Sequence, residues 1–238
     1  IAGGRIRLVT LAPESPNAVD FIRRAVADGI TISIGHTAAT RDQIQSAVDA
    51  GATLSTHLGN GAHGTLKRHP NYIWEQLGEP RLFASIIPDG HHLPATVVNS
   101  IVRTKSPYRT IVTCDASGLA GCPPGNYELG SGRFELLPDG RIVVAGQQQM
   151  LAGSSLATDT CVAGVMRMAN VPLRDAIDMA SRTPARLLQQ PQFRLQRGSR
   201  ADLFLFHLPD QASRLDVIAT YAQGELRFGK SPELATVS

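Results

Sequence analysis

The sequence predicts an α/β fold of parallel βα units, the kind that closes into a (β/α)8 TIM-type barrel or lies open as a doubly wound sheet. Three observations predict it. Short apolar runs at 6–12, 31–35, 53–58, 83–87 and 110–114 are β-branched and mostly continuous, as expected of strands buried on both faces. Helix-like stretches separate several of these runs. The strand starts recur roughly every 22 to 30 residues, the repeat of a βα unit.

Each element has a local reason. Ser15 followed by Pro16 reads as a cap with proline in the first helical position. Val19, Ile22 and Val26 then recur at helical spacing until Gly29 ends the turn. Thr40 caps a second helix whose apolar face is Ile44, Ala47 and Val48, with Gly51 as its stop. A third carries Val97, Val98, Ile101 and Val102 before the breaker Pro107. Beyond Asp115 the style changes. Residues 117–150 are rich in Gly and Pro, and the runs 133–137 and 141–144 flank Pro138-Asp139-Gly140, a hairpin signal. Helices are expected at about 155–169 and 172–190, then strand-like stretches at 201–207 and 217–228.

This divides the chain into a βα portion at 1–190, with a hairpin insertion at 117–150, and part of a small β domain at 191–238. Five βα units do not close an eight-stranded barrel. Either the sheet is a smaller doubly wound one, or three strands precede Ile1; the opening Ile1-Ala2-Gly3-Gly4-Arg5 reads as an internal cut.

Composition narrows the function classes. Of the 238 residues, 42% are hydrophobic and 18% charged, which argues for a folded globular chain. No apolar run approaches the roughly 18 residues of a membrane span. Net charge is +3 and the basic residues are scattered apart from Lys67-Arg68-His69, so nucleic acid is a poor partner. Cys114, Cys122 and Cys161 are odd in number and lack CxxC spacing, which fits a reducing cytoplasm better than a disulfide framework.

Three strand ends carry chemistry: Gly35-His36-Thr37, Thr56-His57-Leu58 and Cys114-Asp115-Ala116. Parallel strands all point one way, so these residues gather at the C-terminal mouth, where barrel active sites lie. Neighbouring strands are about 4.8 Å apart, so imidazoles on consecutive strands can reach one ion. A single histidine at a strand end is usually just hydrogen-bonded; two on consecutive strands with a carboxylate nearby form a more specific pattern. Catalytic zinc usually has three protein ligands. Glu14 follows the first strand and could serve, but the preferred reading places its charge at the positive end of the next helix.

The runs Val9-Thr10-Leu11-Ala12-Pro13-Glu14, Gly35-His36-Thr37-Ala38-Ala39-Thr40 and Thr56-His57-Leu58-Gly59-Asn60 resemble the N-acetylglucosamine-6-phosphate deacetylases of the amidohydrolase superfamily. Asp89-Gly90-His91-His92, Val112-Thr113-Cys114-Asp115-Ala116 and Leu151-Ala152-Gly153-Ser154-Ser155 continue the likeness in order. Gly198-Ser199-Arg200-Ala201-Asp202-Leu203 matches the superfamily's closing segment. Each motif is weak alone; their order and spacing are specific and cover nearly the whole chain.

The resemblance implies a TIM-type amidohydrolase barrel, of which this is the C-terminal two-thirds. It implies that His36 and His57 ligate a divalent metal ion, zinc in the first instance and iron or another divalent ion as alternatives, and that Asp115 is the catalytic acid and base. Asn60, Gly61 and His92 would hold the amino-sugar phosphate. Arg68 would reach the phosphate in a neighbouring subunit, making a homodimer part of the site. The family's acidic metal ligand lies on an earlier strand, so it is expected upstream, and Glu14 matches another position. Gly61-Ala62 departs from the family's usual Ala-Met after the asparagine, and His63, His69, His91 and His207 match no ligand. The expected reaction is deacetylation of N-acetylglucosamine 6-phosphate. The alternatives are an amidohydrolase acting on another N-acyl amine, and an inactive sugar-phosphate binder.

Overall fold

A computed structural model describes residues 2–191 and 195–230. The parallel strands form as the apolar runs require: β1 (Leu8–Leu11), β2 (Thr31–Ile34), β3 (Ala52–Ser55), β4 (Phe83–Ile86) and β5 (Thr110–Val112). They pair in sequence order, β1-β2-β3-β4-β5, all parallel. That order decides between the two architectures. A doubly wound sheet reverses its strand order at a switch point, whereas this one advances in a single direction, as a barrel wall does.

Helices α1 (Ala18–Ala27), α2 (Arg41–Asp49), α3 (Tyr72–Gly78) and α4 (Ala95–Lys105) connect these strands. Thr40 caps α2 with a complete capping box: its hydroxyl accepts from Gln43 N, and the Gln43 side chain accepts from Thr40 N. The expected Ser15-Pro16 cap is not formed. Ser15 N and Ala18 N instead donate to Ala12 O and Ser15 O in consecutive turns. The helix starts at Ala18 behind Asn17, whose φ is 59°. Proline suits the second position of such a turn as well as it suits a helix start. Helix α3, not foreseen, is short and capped by Asn71, whose Oδ1 accepts from Ile73 N and Trp74 N.

The core forms two clusters against the sheet. Ile22, Ile32, Ile34, Ile44 and Leu82 pack α1 and α2 onto the first strands. Ile86, Val98, Val102, Val112, Val165 and Met179 join α4 to α5 (Thr158–Ala169) and α6 (Leu173–Ala180). The second C-terminal helix expected at 172–190 breaks at Ser181, and α7 (Arg182–Leu187) follows.

The insertion is larger than one hairpin. Strands β6 (Gly125–Leu129), β7 (Gly132–Leu136), β8 (Arg141–Val144) and β9 (Gln147–Ser154) make a four-stranded antiparallel sheet, with the foreseen hairpin as β7–β8. Near the C-terminus, the single stretch expected at 217–228 folds into two strands. β10 (Leu203–His207), β11 (Asp216–Ala222) and β12 (Glu225–Gly229) form a three-stranded antiparallel sheet, turning at Gln223-Gly224 where both φ values are positive. Among the described residues, no helix is long and apolar enough to cross a membrane.

Candidate active site

His36, His57 and Asp115 lie just past the C-terminal ends of β2, β3 and β5. All three have left-handed backbones, with φ of 48°, 30° and 52°. For residues with a side chain this costs on the order of 1–3 kcal/mol each and persists only where the surroundings impose it. Here they do. His57 N donates to Ser85 Oγ on β4 at 2.7 Å, while Ser85 Oγ donates to Ser55 O and Leu58 N to Ser85 O. Ser154 N, at the end of β9, donates to Asp115 O, and Ser117 N returns a bond to Ser154 O. Beneath the histidines the hydroxyls of Thr10, Thr56 and Ser33 link β1, β2 and β3, with Thr56 Oγ1 3.0 Å from Thr10 and 2.5 Å from Ser33. Gly35 is needed above this layer, because a Cβ there would sit 2.7 Å from both Thr10 and Thr56.

The two imidazoles meet edge to face, with Nε2 atoms 2.9 Å apart. Gly61 lies over them in a left-handed conformation, and a Cβ on it would come within 3.2 Å of His36 Nδ1. Burial pushes His57 below the ordinary histidine range, and neighbouring His36 adds to this while the Asp115 charge opposes it. Its ring is therefore held towards the neutral form that a metal ligand must have. A shared ion fits this pair. Two ligands on one tetrahedral ion with bonds near 2.05 Å would be about 3.3 Å apart, close to the spacing found. Among the described residues, Ser55 Oγ, His57 Nδ1 and Asn60 Nδ2 are buried without a hydrogen-bond partner. Among the described residues, no group of three His, Cys, Asp or Glu side chains converges to hold a metal.

His36, His57, Asn60, Gly61, His92 and Asp115 line one open cavity of about 1200 Å³. Arg68 does not join them: it is exposed in the loop before α3, where Arg68 O accepts from Asn71 Nδ2. The opposite wall comes from Gly146 and from residues 147–153 of β9, with Gln147, Gln148, Gln149 and Met150. Sequence reasoning missed this wall, since a polar run after Gly146 has none of the alternation that marks a strand.

Two carboxylates were also missed or misplaced. Asp89 is buried, and its Oδ2 is 2.7 Å from His92 Nδ1. Its Oδ1 accepts from His91 N and His92 N. Burial alone would raise its pKa, but these bonds outweigh that and hold the carboxyl below its ordinary range. A carboxylate can only accept, so His92 carries a proton on Nδ1. The signal was local: an aspartate three residues before a histidine, in a turn where the side chain can bond forward. Glu14 was expected to charge the first turn of α1. Instead its Oε2 accepts from Thr37 Oγ1 at 2.5 Å and its Oε1 from Ala38 N at 2.6 Å, across the strand end beside His36. A capping role is excluded because both oxygens turn towards that neighbouring loop. His63 and Tyr72 bond to each other at 2.8 Å away from the cavity lining, and His207 is exposed on β10.

The chain matches the model of the Amidohydrolase family over residues 1–227. Among curated relatives it is 33% identical over 222 residues to the N-acetylglucosamine-6-phosphate deacetylase of Vibrio furnissii, covering 92% of this chain and 53% of that protein. It is 36% identical over 184 residues to the N-acetylgalactosamine-6-phosphate deacetylase of Escherichia coli O157:H7, covering 77% and 48%. Among solved structures, a variant of the Mycobacterium smegmatis N-acetyl-D-glucosamine-6-phosphate deacetylase in complex with N-acetyl-D-glucosamine-6-phosphate superposes with a TM-score of 0.80 at 32% identity, over 94% of this chain and 58% of that one. The chain thus spans about half the length of the relatives it matches.

Proposed function

Because this chain belongs to the amidohydrolase family, we propose that its cavity is the metal and acid–base side of a deacetylase active site, acting on N-acetylglucosamine 6-phosphate to give glucosamine 6-phosphate and acetate. One observation carries the reading: His36 and His57 present Nε2 atoms 2.9 Å apart at adjacent strand ends, in the cavity that Asp115 and His92 also line. The activities of those relatives suggest the substrate class.

His36 and His57 would hold a divalent ion, zinc in the first instance, with a third ligand from outside the described residues. When bound, such an ion lowers the pKa of water and polarises an acyl carbonyl. Asp115, exposed at the mouth, takes the proton of the attacking water and passes it to the leaving amine. His92, its Nδ1 proton engaged by Asp89, lines the cavity with a fixed ring and orients the acyl group against Asp115. Asn60 and Gly61 orient the sugar. In this reading the described residues up to 190 form five of the eight units of a TIM-type barrel, and 195–230 belong to a small β domain. The exposed Arg68 reaches the phosphate across a homodimer, where its planar fork suits a dianion.

The test is Asp115→Asn in the full-length protein, scored by acetate release and metal content. An amide cannot shuttle the proton, so turnover falls by roughly 10²-fold or more while metal content stays. Near-normal turnover rules Asp115 out. A second reading, an amidohydrolase of another N-acyl amine, is favoured by Gly61-Ala62 and by a cavity lining with no Arg or Lys among the described residues. Comparing acetate release from N-acetyl sugars with and without phosphate separates the two.

A further inference from the structure

The geometry points to Glu14 as a positioning residue that clamps the backbone behind His36 and so sets the direction of that imidazole; this rests on the reading of His36 as a metal ligand. β1 and β2 run parallel in register, Leu11 beside Ile34. Glu14 follows β1, and its carboxylate spans the gap to the loop that follows β2, taking one hydrogen from Thr37 Oγ1 and one from Ala38 N. Thr37 Oγ1 in turn accepts from Ala39 N at 2.9 Å, so a single carboxylate organises three successive residues after His36. The need is local. His36 sits at φ 48° and is itself exposed, so its ring is less enclosed than that of His57. Its neighbour His57 is buried and fastened by Ser85. Glu14 gives His36 the fastening that Ser85 gives His57. The two hydrogen bonds outweigh the effect of partial burial and hold the carboxyl below its ordinary range, so the clamp is charged at neutral pH.

With both carboxylate oxygens turned to the 37–38 loop, Glu14 acts through His36 and is not itself a ligand. Outer partners of this kind typically change metal affinity by about 10–100-fold when removed.

The experiment uses the full-length protein with Glu14→Ala, Glu14→Gln, Thr37→Val and, as a control, His36→Ala. Three readouts are taken: zinc Kd by chelator competition, amide exchange at residues 36–39 in the metal-free protein, and kcat and KM separately. Glu14→Ala is expected to raise the zinc Kd by about 10–100-fold, speed exchange at Ala38, and lower kcat more than it changes KM. Glu14→Gln keeps one acceptor for Ala38 N and falls between Ala and the native protein. Thr37→Val removes one arm of the clamp and weakens zinc in the same direction, and it decides the matter if Glu14→Ala does not fold. A native zinc Kd in Glu14→Ala, with zinc lost in His36→Ala, overturns the clamp and leaves the metal reading standing. Complete zinc loss in Glu14→Gln with native exchange at Ala38 overturns it in favour of a direct ligand. Native zinc binding in His36→Ala overturns the metal reading and the clamp with it.

Discussion

The left-handed backbones of His36, His57 and Asp115 place strain at three points of one cavity; hydrogen bonds to an adjacent strand hold His57 and Asp115, and the Glu14 carboxylate holds the two residues that follow His36. Asp89 does for a side chain what those bonds do for the backbone, since it fixes the proton and the ring plane of His92. Its carboxyl is held below its ordinary value, so the stability it contributes is fully present above the unfolded value near 3.9 and is lost as pH falls through the lower folded value. Asp89→Asn is therefore expected to destabilise the protein at neutral pH, with the gap to the native protein closing in acid below about pH 3.9. Urea midpoints measured across pH 2 to 7 read this directly, and a gap independent of pH would mean that Asp89 acts only through packing.

At the scale of elements, Lys105 at the end of α4 has the strongest consequence. Its ammonium is buried and donates to Gln76 O, Glu79 O and Leu82 O at 2.9, 2.7 and 3.0 Å. It thereby collects the carbonyls at the C-terminal end of α3 and ties that short helix to β4, a favourable place for a cation. Burial pushes its pKa down to about 8. Lys105→Met keeps the length of the side chain but leaves three buried carbonyls without this donor. A loss of about 2–4 kcal/mol is expected after relief of the desolvation cost, measured as a lower denaturant midpoint with unchanged m-value. An unchanged midpoint would show that water replaces the ammonium. Because α3 carries Tyr72, which pins the preceding loop through His63, loss of the anchor should also loosen the wall near Gly61 and Ala62.

For the whole molecule, the sequential parallel sheet gathers the C-terminal ends of β1 to β5 on one side, and β9 lines the cavity opposite them. The described residues bring two imidazoles together but no group of three candidate ligands, and the chain spans about half of its relatives. Zinc titrated into the 238-residue chain should therefore bind more weakly than at a three-ligand catalytic site, and His36→Ala should abolish what binding there is. Tight stoichiometric binding by the chain alone would reveal a third ligand within it.

Local rules carried much of this molecule. The continuous β-branched runs, the Thr40 cap and the hairpin at Pro138-Asp139-Gly140 depend on neighbours in sequence, so residues alone announced them. The same logic located His36, His57 and Asp115, because parallel strands share a direction and their ends must share a side. Tertiary structure decided the rest. Strand order separated barrel winding from a doubly wound sheet, and no composition records which strand lies beside which. Glu14 became a clamp because its partners lie 23 and 24 residues on, brought near by strand pairing. β9 became the cavity wall through antiparallel pairing with β8, which overrides the weak strand preference of its glutamines. Those outcomes rest on contacts distant in sequence, whose energies exist only once the chain has folded.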